Sequence, residues 1–117
     1  MIKSFTELKV WQKAHELALL IYKLTGNFPS EERFGLSSQI RRAVISVASN
    51  IAEGFQRNSN KVSINFYNIA DGSLEEVKYQ LLLSKDLSYT TLDEYNKILQ
   101  LSEEVSKMLN SWSKTQK

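Results

Sequence analysis

No cysteine occurs in the 117 residues. That absence excludes disulfides, thiolate-bound zinc and a cysteine nucleophile together. Proline occurs once and glycine four times, too little punctuation for a many-turned β fold and suited to long uninterrupted helices. Histidine also occurs once, as His15. A di-iron helical bundle needs Glu-x-x-His on two helices, and the residue three before His15 is Gln12, so that metal site is excluded. Neither Gly-x-Gly-x-x-Gly nor Gly-x-x-x-x-Gly-Lys occurs, and no Gly-x-Ser-x-Gly elbow is present, which removes the common phosphate loops and the hydrolase nucleophile turn. A helical ribonuclease of the HEPN type carries Arg four to six residues before its His; here those positions are Lys9, Val10 and Trp11. The longest purely apolar run, Leu17 to Tyr22, is too short to cross a bilayer. The first seven residues hold no stretch of signal-peptide length. The expectation is a cytoplasmic, non-enzymatic protein with no membrane segment, cofactor, metal or small-molecule substrate.

What is present is periodic. The length suits one domain, residues 1–117, with a core that needs no staples. Four segments repeat apolar residues at helical spacing. The first spans about Thr6 to Thr25, with Ser4 and Glu7 at capping-box spacing, and stops at Gly26-Asn27, a pair that tolerates the left-handed conformation. His15 lies at its core or boundary. The second runs from Phe34 or Gly35 to Phe55, with Gly54 placed to cap it. The third starts at Ser59 or Asn60 and reaches about Leu87, facing inward with Val62, Phe66, Ile69, Ala70, Ser73, Val77, Leu81 and Ser84. Gly72 sits mid-helix at a cost of about 1 kcal/mol relative to alanine, which predicts close approach of a neighbouring helix. The fourth begins at the capping box Thr91-Leu92-Asp93-Glu94, and the polar tail Ser113 to Lys117 is expected to fray. Short connections place consecutive helices side by side. The predicted fold is all-α, an antiparallel up-down-up-down four-helix bundle.

Two groups of residues are left over. The net charge of +2 is far from that of a dedicated nucleic-acid binder, and the only positive bias lies between residues 36 and 60, where Arg41, Arg42 and Arg57 face one Glu53. Arg57 and Lys61 flank the start of helix three, whose free N–H groups favour an anion. These four are the candidate phosphate contacts, although Arg41 could instead pair with Glu75, Glu76 or an adjacent subunit through its planar donor fork. The second group is apolar. Helix two has a strip, Ile45, Ala48 and Ala52, beyond its main stripe, and helix three presents Ile64, Tyr67 and Leu82 outside its own. Surplus apolar surface of this kind marks an interface, and these six are the candidate oligomer contacts.

Three blocks of sequence resemble one known family. They are Phe5-Thr6-Glu7-Leu8-Lys9-Val10-Trp11-Gln12-Lys13-Ala14; Gly35-Leu36-Ser37-Ser38-Gln39-Ile40-Arg41-Arg42-Ala43 with Ser46 and Asn50-Ile51-Ala52-Glu53-Gly54; and Ala70-Asp71-Gly72-Ser73-Leu74-Glu75-Glu76. Their order and spacing are similar to those of the 23S ribosomal RNA intervening-sequence proteins, the four helix bundle proteins. The resemblance implies a left-handed up-down bundle that assembles as a ring, typically a homopentamer, with no catalytic activity. A related branch, the accessory variability proteins of diversity-generating retroelements, associates with nucleic acid and a reverse transcriptase. The expected function is therefore a homo-oligomeric adaptor or scaffold with possible RNA or DNA association. The alternative is a protein-binding module with no nucleic-acid role, which the near-neutral charge favours.

Overall fold

The computed structural model describes residues 1–116. Four helices make up the described chain: α1 Lys9–Thr25, α2 Leu36–Phe55, α3 Asn60–Asp86 and α4 Leu92–Lys114, with 3-10 turns at Phe5–Glu7 and Ser30–Glu32. No strand occurs among the described residues. Contacts along successive helices run in opposite directions. Between α2 and α3, the Ser46 and Ser73 hydroxyls meet at 2.7 Å, and further along α2 Gly54 meets Tyr67 nearer the start of α3. Arg41 early in α2 reaches Tyr22 and Thr25 late in α1. Lys85 late in α3 lies over the Tyr95 ring early in α4. α1 closes against α4, where Lys13 pairs with Glu104, and no diagonal pair of helices approaches among the described residues. This is the expected four-helix bundle. Its centre is one continuous core in which Leu17, Ile21, Ile40, Val47, Leu74 and Val105 are fully buried.

The helix boundaries follow from local chemistry. The Ser4/Glu7 box forms, with the Ser4 N–H donating to Glu7 at 2.9 Å, but it caps the 3-10 turn and not α1. Leu8, at 2% exposure, turns into the core through an extended backbone and separates the two. Gly26 is right-handed, so α1 does not end on a left-handed glycine. It ends where the Thr25 hydroxyl donates to the Ile21 carbonyl and the Phe28 N–H folds back to Thr25. The Thr91/Glu94 box caps α4 as its spacing predicts. α4 itself continues to Lys114, past the expected start of fraying, and Lys117 lies outside the described residues.

α2 has a cap that its own sequence does not display. The Glu32 carboxylate accepts from the Leu36 N–H (3.1 Å) and from the Tyr89 hydroxyl (2.8 Å), linking the start of α2 to the α3–α4 connection. Gly35 makes room, since a Cβ there would stand 2.7 Å from the Glu32 carboxylate oxygen. The Leu36 N–H, then Tyr89, hold the Glu32 carboxyl below its ordinary value, and Thr91 does the same for Glu94. A carboxylate depressed in the fold stabilises it above the unfolded value and loses that contribution as pH falls through the folded one. Thermal unfolding followed between about pH 7 and pH 3 should therefore show a smaller acid loss in Glu32→Gln than in the parent. An equal loss in both would mean that Glu32 does not report on folding.

α3 ends on Ser88 with φ 63°, where the Ser88 N–H donates to Lys85 and the Tyr89 N–H to Ser84, both at 2.9 Å. A left-handed residue with a Cβ costs roughly 1–2 kcal/mol, and glycine is favoured at this position. Ser88→Gly is expected to raise stability by about 0.5–1 kcal/mol after its larger unfolded-state entropy is counted, read from chemical denaturation.

Three expectations for the interior fail. Tyr67 does not project outward; it is 2% exposed and packs on Gly54. The inward face of α3 carries Ser63, Tyr67, Ala70, Ser73, Leu74 and Val77, while Val62 and Ile69 are exposed. The expected face is out of phase by one residue in the first two turns. The two helical glycines also exchange reasons. Gly54 lies within α2, buried under Tyr67 and not at a cap, whereas Gly72 faces open space, with nothing within 4 Å of the point a Cβ would occupy.

Candidate functional site

The four basic candidates do not form one patch. Arg41 is half-buried and engaged within the chain. Its Nε donates to the Thr25 hydroxyl (2.7 Å), a terminal nitrogen reaches the Tyr22 carbonyl (3.4 Å), and the guanidinium lies 4.5 Å from the Tyr22 ring centre. Neither Glu75 nor Glu76 is its partner; Glu75 pairs with Lys78. Arg57, which caps the end of α2, is paired with Glu53 and donates from Nε to the Glu53 carbonyl, with its guanidinium over Phe66. Arg42 and Lys61 are exposed and have no ion-pair or hydrogen-bond partner among the described residues. Sixteen residues separate Arg41 from Arg57, about 24 Å at the helical rise. The structure thus brings Arg57 and Lys61 to one end of the bundle and leaves Arg41 and Arg42 toward the other.

The apolar candidates divide as well. Ile45, 46% exposed, and the half-buried Ala48 and Ala52 lie on the side of α2 that faces α1. There they meet residues of α1 that the helical pattern alone does not single out. Leu19 is 59% exposed, and Tyr22 is 42% exposed. Together the two helices form an open apolar groove of about 490 Å³, with Ala18, Ala48 and Ala52 low in it and Leu19 and Ile45 at the edge. One end carries an aromatic series: Phe5 meets Trp11 edge-on at 4.9 Å, and Trp11 stacks flat on His15 at 5.0 Å with 7° between the rings. The other end is closed by Tyr22 beneath Arg41. His15 is accordingly an exposed groove residue, neither core nor boundary. Ile64 and Leu82 belong elsewhere, on α3, half-buried and 38% exposed respectively. Five helical turns apart, they share one azimuth of that helix.

The signal for the α1 half of the groove is present in the sequence. Leu17 to Tyr22 is apolar throughout, and an amphipathic helix needs only part of such a run for its core stripe. A second apolar concavity, of about 570 Å³, lies where the N-terminal arm meets the end of α4, lined by Leu8, Val10, Met108 and Trp112. Near it the Trp112 indole N–H is buried beside the Tyr67 phenol. Burial raises the Tyr67 phenol, an effect the neighbouring Trp112 opposes.

The groove offers one imidazole, one indole N–H, one phenol and one hydroxyl, and no carboxylate; the rest of its lining is apolar. Among the described residues no three His, Asp or Glu side chains gather where a metal could sit, and no helix is long and apolar enough to cross a membrane.

Comparison with known proteins adds the lineage. The 23S rRNA-intervening sequence protein family matches residues 6–111. The chain belongs to that family. Among solved structures, a protein of unknown function from the S23 ribosomal protein family of Bacteroides thetaiotaomicron VPI-5482 is 35% identical, with a TM-score of 0.83, over 90% of this chain and 95% of that one. No curated protein matches. The family match covers α1 to α3 entirely and α4 into its last turn, and it includes the four basic candidates and every groove residue except Phe5.

Proposed function

We propose that this protein is a non-enzymatic helical scaffold whose working form is a homo-oligomer, joined through the α1–α2 groove. The observation that carries the reading is that Leu19, Tyr22 and Ile45 stay exposed together, over a floor of Ala18, Ala48 and Ala52. Scattered surface leucines need no explanation, but a contiguous apolar face flanked by aromatics does. Alanines along the floor let another helix approach closely, and aromatic side chains are enriched in interface cores. The resemblance implies a ring, typically of five copies. Light scattering on the eluting species from size exclusion tests the reading, with a multiple of the chain mass expected. A single-chain mass at high micromolar concentration would overturn it.

Nucleic-acid association is the second half of this proposal. Arg42 and Lys61, exposed and unpartnered among the described residues, favour it. Two cations per chain give weak binding alone, and an assembly multiplies them by its copy number. Electrophoretic mobility shifts with RNA should weaken as salt rises; no shift at low ionic strength leaves the protein-binding reading, in which a partner such as a reverse transcriptase binds the scaffold without a nucleic-acid bridge. Pull-down after nuclease treatment separates the two.

A further inference from the structure

The concavity between the N-terminal arm and the end of α4 has no part in the assembly proposed above. Its volume of about 570 Å³ falls within the range of ligand pockets, about 300–1,000 Å³. Leu8 and Val10, 2% and 4% exposed, lie at its base. Met108 and the half-buried Trp112 complete a lining that is almost wholly apolar. Lys9 and Lys107 stand at the rim, both exposed. Neither has an ion-pair or hydrogen-bond partner among the described residues. An apolar hollow joined to unpaired cations complements a ligand with an apolar body and an anionic end.

The fold gathers this charge from the two ends of the chain. The start of α1 meets the last turns of α4 here, so Lys9 and Lys107 share one rim. Lys3 and Lys114 adjoin two further lining residues, Ile2 and Thr115, in sequence. The one carboxylate in the lining is Glu7, which accepts from the backbone N–H groups of Lys3 and Ser4 at 2.7 and 2.9 Å. On α4, Glu104 pairs with Lys13, and Glu103, one turn before Lys107, forms no ion pair among the described residues. Lys9 also stands in the first turn of α1, where the helix dipole disfavours a cation and no acidic residue offsets it. An anion at the rim relieves that repulsion.

We infer that this concavity binds a free single-chain amphiphile, with the alkyl chain on Leu8, Val10, Met108 and Trp112 and the anionic head between Lys9 and Lys107. The alkyl chain supplies the affinity, since each buried methylene tightens binding by up to about fourfold. The lysines supply the choice of head group. Exposed charge pairs are individually weak and screened by salt, so loss of both lysines weakens an anionic ligand roughly five- to tenfold and leaves a neutral one unaffected. The α1–α2 groove is the competing apolar site, and the two tryptophans of the chain separate the two. Trp112 lines the concavity and Trp11 the groove. The inference is independent of the assembly reading.

Titration of the isotope-labelled full chain with decanoate, followed by NMR on the two indole N–H resonances, tests the inference; Trp11→Phe identifies which resonance is which. The Trp112 resonance should move while that of Trp11 stays. Octanoate, two methylenes shorter, should bind roughly tenfold more weakly. The double variant Lys9→Gln, Lys107→Gln should lose roughly five- to tenfold in affinity for decanoate and bind decanol as the parent does. Both lysines are exposed, so the variant should keep the parent thermal midpoint, checked alongside. A Trp112 resonance unmoved at about 1 mM decanoate, or moved only by phosphatidylglycerol vesicles, overturns the inference. So does movement of Trp11 alone, which would put the alkyl chain in the groove. Full affinity for decanoate in the double variant overturns it as well.

Discussion

Gly54→Ala is expected to destabilise the protein by about 3 kcal/mol, the upper part of the range for overpacked cores, and to lower its thermal midpoint on the order of 10 °C at this chain length. The cause is one contact. A Cβ at Gly54 would stand 2.5, 2.9 and 3.0 Å from Cε1, Cδ1 and Cζ of Tyr67. Those atoms belong to a rigid ring that is 2% exposed, so no flexible end can move aside. Either α2 and α3 separate, or the phenol leaves the core. Separation would also strain the Ser63 hydroxyl, which donates to the Gly54 carbonyl at 2.7 Å, and the Ser46–Ser73 bond further along the same seam. Gly72→Ala should act in the opposite sense and raise stability by about 1 kcal/mol, because its Cβ meets nothing. Denaturant unfolding of both variants checks the pair. Combining Gly54→Ala with Tyr67→Leu should restore part of the loss, since the two sites share one contact and cannot add independently.

These glycines mark where sequence reasoning reaches its limit. Caps are local, so Ser59 and the Thr91/Glu94 box are legible: donor and acceptor lie three residues apart, and nothing distant decides the outcome. A helical glycine has its reason in a neighbour that the sequence does not place. Gly54 reads as a terminus and is a packing surface; Gly72 reads as a packing surface and lies open. The phase of α3 fails for a related reason. Its inward face includes Ser63, Ser73 and Ser84, whose hydroxyls are satisfied by the Gly54 carbonyl, Ser46 and the Gln80 carbonyl. Serines so bonded sit in a core at little cost, but they dilute the apolar period, and Val62 and Ile69 then outweigh Ser63 and Tyr67 in any count of hydrophobic residues.

The candidate site is half legible. The excess of apolar residues on α2 is visible, because Ile45, Ala48 and Ala52 lie beyond a stripe already sufficient for the core. Its partner surface on α1 is not, because Leu19 and Tyr22 could belong to a broad inward face until Ala14, Leu17, Ile21 and Leu24 are seen to fill it. Arg41 shows the reach of a long side chain. Its wheel position places it near Ile45, but the guanidinium extends to the end of α1 and is used there.

Leu19→Glu should abolish self-association while leaving the fold intact. The side chain is 59% exposed, so the substitution removes little packing, and stability should change by no more than about 0.5 kcal/mol. In an assembly that covers the groove, the new carboxylate is taken out of water against an apolar surface, and its helical neighbours His15 and Lys23 offset only part of that cost, leaving about 2–3 kcal/mol, on the order of 30- to 100-fold in the association constant. Leu92→Glu is the matched control. Leu92 is 61% exposed, but it opens α4, away from the groove, where an acidic residue suits the helix N-terminus. Sedimentation of the two variants at equal concentration should give a monomer for Leu19→Glu and the parent assembly for Leu92→Glu. If both assemble, the groove is not the contact; if both dissociate, the contact extends well beyond α1 and α2. Because Leu19 and Leu92 are almost equally exposed, their difference isolates the contiguity of the apolar face from hydrophobic exposure as such.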